Sequence, residues 1–326
     1  MYRRSLPEPE RGKKGKNFSE VIYDWFVPLR GGGLRGKMKK KITIGQFLIR
    51  VCLLTAALLI LIPILNILAK SVSEPKLVPY MSGWQFWPSG FDLINYKLIF
   101  SNSLVTRSFL NSLFITIVGT ALSLLVTGCA AYALTRPGLP FKKALMVFFI
   151  IMMIFEPSII QEYFVIKNLN LLNNIWVMVL YNSVNAYYLI LMMRFFEETP
   201  IALIEAAKID GAGELSVFFK IFLPLNKIAF MTVGMFYAVV RWNEYFKSSV
   251  FLQTRDTTVL QVFLKQFVVN GDSTAIASYA DVDLTSLNIG SLKAATIVIV
   301  MVPILAMYPL ILKYYTGGVM AGGVKE

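Results

Sequence analysis

Residues 31–38 read GGGLRGKM, and Gly31, Gly36 and Lys37 stand at the spacing of a glycine-rich loop that cradles phosphates. Such a loop needs a Ser or Thr hydroxyl after the lysine to hold magnesium, and Met38 supplies none. Other reactive chemistry is scarce. The chain has no histidine, which removes the commonest general acid-base and neutral metal ligand. Cys52 and Cys129 both lie in apolar runs, far apart in sequence, and read as buried small hydrophobes rather than a disulfide. No nucleophile, acid and base cluster together, so no catalytic residues and no metal site are expected. What remains is polar groups set in apolar sequence: Glu156, Arg241, Asn243 and Glu244, and a run of Tyr181, Asn182, Asn185, Tyr187 and Tyr188. Such groups are costly in hydrocarbon. Glu156 and Arg241 fit either an ion pair or wet cavity within the membrane, or two side chains snorkelling to the interface. The tyrosines and asparagines offer aromatic faces and amides suited to sugar, and they suit helix packing as well.

The elements that position these groups are membrane helices. Hydrophobic residues make up 56% of the 326-residue chain against 16% charged, and the mean hydropathy is +0.62, values that belong to a membrane protein. Six segments have the length of a span, roughly 20 residues for ~30 Å of hydrocarbon: 44–69, 108–134, 143–166, 175–196, 227–250 and 292–315. The net charge of +13 is concentrated before the first of them, from Arg3 to Lys41, which argues for a cytoplasmic tail over residues 1–43 rather than for nucleic-acid binding. That basic stretch is too long for a cleavable signal, and GGGLRGKM within it serves topology and contact with anionic lipid rather than nucleotide. Starting inside, residues 135–142 and 197–226 face the cytoplasm, flanked by Arg136, Lys142, Arg194, Lys208 and Lys220, and the carboxyl end is cytoplasmic too. The outer loop 70–107 reads as a lid or ledge at the outer surface, with Trp84 and Trp87 as interface anchors rather than ligands. The outer loop 250–291, with Asp256, Asp272, Asp281 and Asp283, is long enough to meet a partner. Gly119, Thr120, Ser123, Thr127 and Gly128 form a small-residue surface for close helix packing.

One stretch outside the spans is informative, TPIALIEAAKIDGAGELSVFFKIFLPL at 199–225. Thr199 as N-cap and Pro200 at the first helical position predict a short helix over 201–209. Gly211 permits a left-handed turn. A second short helix is expected over 214–222, and Pro224 keeps it from running undisturbed into the next span. Ile201, Leu203, Ile204, Phe218, Phe219 and Phe222 would leave much apolar surface uncovered if this were a surface helix without a partner.

Glu205, Ala206, Ala207, Asp210 and Gly211, followed at the right distance by Ile221, Leu223 and Pro224, resemble the cytoplasmic E-A-A loop of binding-protein-dependent ABC importer permeases. The resemblance extends from about residue 90 onward, through NSLFITIVGTALSLLVTGCAAYALTR, LILMMRFF and YAVVRWNEYF, and points to the maltose and oligosaccharide group, on the side of the smaller maltose permease subunit. The ending KYYTGGVMAGGVKE is similar to a subgroup handling complex oligosaccharides or polysaccharides. The resemblance implies an all-α, six-helix permease of the type I importer fold in a bacterial cell membrane. It implies a second homologous permease, two cytoplasmic ATPase subunits, an extracytoplasmic solute-binding protein and a sugar as partners. ATP and magnesium would be held by the ATPase subunits, with no cofactor on this chain. Glu205 would pair with a basic ATPase residue, Ala206 and Ala207 would permit close packing, and Gly211 would make the turn. A permease for a peptide or amino acid shares the same loop and stays open, as does a self-contained secondary transporter, which would need no Glu205 contact.

Overall fold

The computed structural model of the chain describes residues 44–271 and 288–322, with side chains described through residue 309. The basic tail 1–43, GGGLRGKM, Asp272, Asp281 and Asp283 lie outside the described residues, as do all the side chains of the carboxyl-terminal ending. The chain divides into two units, Met1–Cys52 and Leu53–Glu326. The described part of the first is the beginning of helix α1, whose residues are exposed; the second carries everything discussed below.

Every regular element among the described residues is helical. In chain order the principal ones are α1 (Ile44–Ser71), α2 (Ile94–Ser101), α3 (Ser103–Thr135), α4 (Lys142–Ile154), α5 (Ile159–Asn168), α6 (Trp176–Leu180) and α7 (Ala186–Glu197). Then follow α8 (Ile201–Ile209), α9 (Glu214–Leu225), α10 (Lys227–Asn243), α11 (Phe246–Phe251), α12 (Leu260–Leu264) and α13 (Ile289–Gly322). Three stretches, Ile44–Ser71, Ser103–Thr135 and Ile289–Pro309, are long and apolar enough to cross a bilayer. Counting two bent pairs as one span each gives up to five.

The third expected span is not one continuous helix. α4 and α5 meet at 115°. Pro157 has no N–H to give and forces Glu156 out of the helical region, and Ser158 then starts α5 afresh with a capping box closed by Gln161. The fifth expected span also ends early, at Asn243, and α9 approaches α10 at 83°. The fourth is split between α6 and α7 at Tyr181–Asn185, with no proline or glycine in the break. Cys52 and Cys129 are exposed rather than buried, because an apolar helix in a membrane protein turns apolar residues outward as well as inward.

α3 is the central post, packed along α10, α7 and α6. Asn102 caps it by accepting from the Leu104 and Val105 amides at 2.9 and 3.3 Å. Its buried stripe runs Ser108, Ser112, Thr116, Gly119, Ser123, Thr127 and Ala131, a spacing of three or four that keeps small residues on one face. The closeness it permits is severe: a Cβ on Gly128 would sit 2.7 Å from the Phe230 ring, and one on Gly234 2.8 Å from Leu124. The 70–107 stretch is an ordered ledge that includes α2. Asn66 of α1 donates to the Ser82 and Gln85 carbonyls at 3.1 and 2.8 Å, while Trp84 and Trp87 stand 70% and 81% exposed. The described beginning of the 250–291 stretch is less loop than expected, since α12 packs Leu260 and Phe263 into the core beside Trp242. Arg107 pairs with Asp256, and Asn111 donates to the Asp256 and Thr258 carbonyls, both at 2.9 Å, which binds the start of that stretch to α3.

Candidate functional site

Two places gather the residues singled out in the sequence. The first is the helix pair α8–α9. α8 spans Ile201–Ile209 as expected, but its N-cap is Pro200, one residue after the proposed Thr199, whose hydroxyl instead bonds Asn226 Oδ1 at 3.0 Å. The turn that ends α8 is a Schellman motif. Gly211 has φ +80°, the Ala212 amide reaches the Ala207 carbonyl at 3.0 Å, and the Gly211 amide reaches Lys208 at 3.0 Å. Nothing lies within 4 Å of where a Gly211 Cβ would be, so substitution there strains only the backbone. Gly211→Val is expected to cost about 1–2 kcal/mol, read as a lower thermal midpoint of the purified protein.

This turn buries Ile204 and Ala207 and presents Glu205, Ala206, Asp210 and Gly211 outward. Ile221 and Leu223 pack partly into the core, and Pro224 is exposed at the approach to the 83° bend. Ile201, Leu203, Ile209, Leu215 and Phe219 of the pair are all exposed, alongside the exposed charges of Lys208, Asp210 and Lys220. Glu205 makes no ion pair among the described residues.

The pair is anchored to α3 through Tyr132 and Glu214, to which the sequence reading gave no role. Tyr132 Oη donates to Glu214 Oε2 at 2.9 Å, and Lys208 pairs with the same carboxylate. The Arg136 guanidinium lies 4.0 Å from the Tyr132 ring centroid and 5.1 Å from that of Phe222. Phe196, Phe218 and Phe222 close the cluster with edge-to-face contacts. Hydrogen bonds from Lys208 and then Tyr132 hold the Glu214 carboxylate below its usual range. A depressed carboxylate stabilises the folded state above its unfolded value, about 4.3, and that contribution disappears as pH falls through the folded value. The group is exposed, so the effect is under about 1 kcal/mol. Thermal unfolding of wild type and Glu214→Gln should therefore differ slightly at pH 7 and converge below pH 4.

The second place is a cavity of about 600 Å³ walled by the α4–α5 turn, the α6–α7 break and the α10–α11 junction. Of the polar residues singled out in the sequence, Glu156, Tyr181, Asn182, Asn185, Tyr187 and Glu244 line it. Each break in a helix contributes. Asn182 takes φ +51°, a conformation asparagine tolerates better than most side chains. Asn185 Oδ1 caps α7 by accepting from the Tyr188 amide at 3.2 Å, so that oxygen is already engaged. Two lining residues had gone unremarked. Glu162 and Lys247 pair at 2.9 Å, and Tyr181 Oη donates to Glu162 at 2.9 Å. Their signal was present, since each lies within six residues of a group already singled out, Glu156 or Glu244.

Three expected path residues are not in this wall, although Arg241 lines an adjoining pocket together with Tyr181, Asn182 and Glu244. Tyr188 is packed, stacked on Phe236 at 5.7 Å and edge-on to Tyr237 at 4.8 Å. Asn243 is exposed and donates to the Val239 carbonyl at 2.9 Å. Arg241 makes no pair with Glu156. Its Nη1 donates to the Met178 carbonyl at 2.5 Å, and Nη2 donates to Ser123 Oγ at 2.8 Å and the Tyr181 carbonyl at 3.3 Å. The reason is the break after α6, which frees carbonyls that a continuing helix would have satisfied. A cation at a helix carboxyl end meets both the lone pairs and the dipole. Gly119 makes room: a Cβ there would lie 2.6 Å from Nη1.

Apolar helices broken around a polar cavity, joined to an outward-turned helix pair carrying the E-A-A spacing, define a multi-pass membrane transport permease. Comparison with known proteins agrees. The chain is 34% identical over 279 residues, 84% of its length and 95% of the relative's, to the polygalacturonan/rhamnogalacturonan transport system permease protein YtcP of Bacillus subtilis (strain 168). It is 29% identical over 252 residues, 76% of this chain and 85% of the other, to the melibiose/raffinose/stachyose import permease protein MelC of the same organism. Among solved structures it matches a chain of a bacterial ABC transporter involved in the import of the acidic polysaccharide alginate, with TM-score 0.78 and 29% identity over 86% of this chain and 100% of that one. No protein-family model matches the chain. The chain belongs to the permease family of sugar ABC importers.

Proposed function

We propose that this chain is half of the translocation path of an ATP-driven importer for oligosaccharides or polysaccharides, and that its α8–α9 pair is the coupling element. The observation that carries the reading is the exposed Glu205, on a short helix that ends in a Schellman turn, shares its surface with exposed apolar side chains and is braced against α3 through Glu214 and Tyr132. Such a surface fits a cleft on a cytoplasmic ATPase subunit, with small residues allowing close approach and a carboxylate giving a directional charge-assisted contact. In this scheme the chain crosses the membrane six times, the fourth crossing being the broken α6–α7 segment, and both termini are cytoplasmic. The basic residues flanking 135–142 and 197–226 support that orientation. A second permease completes the path, two ATPase subunits bind ATP and magnesium, and an extracytoplasmic binding protein delivers the sugar. This chain itself hydrolyses nothing and carries no cofactor.

Relatives named for polygalacturonan/rhamnogalacturonan transport and for melibiose/raffinose/stachyose import support a saccharide over a peptide or amino acid. The cavity's mixture of tyrosine rings, amides and carboxylates is suited to sugar hydroxyls. Affinity purification of the tagged chain from its native membrane, with mass spectrometry of the bound subunits, tests the assembly. An ATPase, a second permease and a sugar-binding protein are the expected companions. Recovery of an active transporter consisting of this chain alone would contradict the proposal.

A further inference from the structure

α6 and α7 belong to different hydrophobic cores. Val179 of α6 shares one with Ile166 of α5 and Phe251 of α11. Leu189 of α7 shares the other with Ile204 of α8 and Phe222 of α9. The chain passes between the two at Tyr181–Asn185, a short irregular segment of the kind that serves as a hinge. α10 holds that segment at both ends. Arg241 takes the end of α6 through the Met178 and Tyr181 carbonyls. Tyr237, one turn earlier on α10, takes the start of α7, its Oη accepting the Asn185 amide at 3.0 Å. Each of these side chains is backed by a hydroxyl of α3: Ser123 lies 2.8 Å from Arg241 Nη2 and Thr127 2.8 Å from Tyr237 Oη. Since Tyr237 Oη accepts from Asn185, its own proton is available to Thr127. Tyr237, Ser123 and Thr127 are all buried.

We propose that Tyr237 and Arg241 splint the α6–α7 break, so that it transmits movement instead of absorbing it. Flexing the joint would strip partners from the Asn185 amide, two carbonyls and the Ser123 and Thr127 hydroxyls, and buried polar groups left unpaired carry their full desolvation cost. The third tie of the break is of another kind. Tyr181 Oη donates to Glu162, which pairs with Lys247, and all three residues line the cavity, where water can replace the contact as it parts. The break therefore belongs with α3 and α10, and a moving seam lies on the side of α5 and α11. α10 follows α9 after the single residue Asn226, so the coupling element and this part of the cavity wall form one body. Tyr237 is absent from the 600 Å³ cavity's wall and acts through Asn185, as a positioning residue. The inference rests on the importer reading above and adds how the coupling element reaches the path.

The test uses the complete importer, with Cys52→Ala and Cys129→Ala as background and spin labels on Lys167→Cys of α5 and Arg194→Cys of α7, exposed positions on either side of the break. The distance between the labels is measured without nucleotide and with a non-hydrolysable ATP analogue. In a splinted joint the two values should agree to within about 2 Å, the scale of small helix shifts. A larger change in the otherwise wild-type chain shows a hinge and overturns the inference. Tyr237→Phe removes the hydroxyl alone and leaves the joint free to turn about Arg241. In that variant the distance should differ between the two states by more than about 2 Å, and sugar imported per ATP hydrolysed should fall at least about fivefold, in a complex that still elutes as one assembly. Either readout unmoved in an assembled Tyr237→Phe complex overturns the inference as well. Should that variant fail to assemble, the distance in the unsubstituted joint decides alone. If the wild-type importer shows no ATP-dependent sugar uptake, the importer reading itself fails.

Discussion

Glu205→Lys is expected to abolish ATP-driven uptake while leaving the chain folded. Glu205 is exposed and has no ion pair among the described residues, so the fold should lose no more than about 0.5 kcal/mol. At the interface the loss is larger. A hydrogen bond to a charged group is worth about 1.5–3 kcal/mol, and reversing the charge adds repulsion, so coupling should fall at least ten- to a hundredfold, at ~1.4 kcal/mol per factor of ten. ATP-dependent uptake by proteoliposomes, compared with the thermal midpoint of the same preparation, separates the two effects. Glu205→Gln keeps the shape and loses the charge, and should fall between wild type and lysine. Equal losses of stability and uptake would place Glu205 in the fold rather than at an interface.

Arg241→Met should produce the largest loss of stability. The substitution keeps an unbranched apolar stem and removes the guanidinium, leaving the Met178 and Tyr181 carbonyls and the Ser123 hydroxyl without this donor. Each buried acceptor left unpaired costs about 1–3 kcal/mol, which gives about 3 kcal/mol or more for the set. Lysine is a poor rescue, because one ammonium cannot reproduce the fork that spans α6 and α3. Gly119→Ala attacks the same contact from the other side, with its Cβ 2.6 Å from Nη1. The double variant should therefore be much less destabilised than the sum of the two singles. Thermal unfolding of the four proteins in detergent closes that cycle, and additive losses would show that Gly119 and Arg241 act separately.

That pairing also shows what sequence can and cannot reveal. Gly119 and Ser123 were legible as a small-residue surface, and Arg241 as a costly cation. Their meeting was not legible, because the acceptors are backbone carbonyls freed by a break at Tyr181–Asn185. The break contains no proline or glycine to announce it. Where such residues do occur, the reading is close. Pro157 marks the interruption of the third segment, although hydropathy cannot say that the chain then turns by 115°. The short helix over 201–209, the left-handed Gly211 and the second helix from 214 all follow from local rules, and the structure forms them. Thr199 misled because Pro200 took the capping position and freed its hydroxyl for Asn226. The exposure of Cys52 and Cys129 escaped for a different reason. Apolar character marks the core of a soluble protein, whereas in a membrane it marks the lipid face equally well.

A chain of contacts runs from α8–α9 through α3 to the cavity wall. Tyr132 and Arg136 terminate the helix whose middle carries Gly119 and Ser123, the seat of Arg241, and Arg241 holds the α6–α7 break that forms the cavity wall. Each link is a contact in the structure; that they move together belongs to the proposed mechanism.

The most direct measurement is sugar uptake by the reconstituted permease pair, with its binding protein, in the presence and absence of the ATPase subunits and ATP. Uptake should require both the subunits and ATP and should disappear with Glu205→Lys. Sustained uptake by the permeases without an ATPase would contradict the assignment of this chain as the passive, ATP-coupled half of an importer.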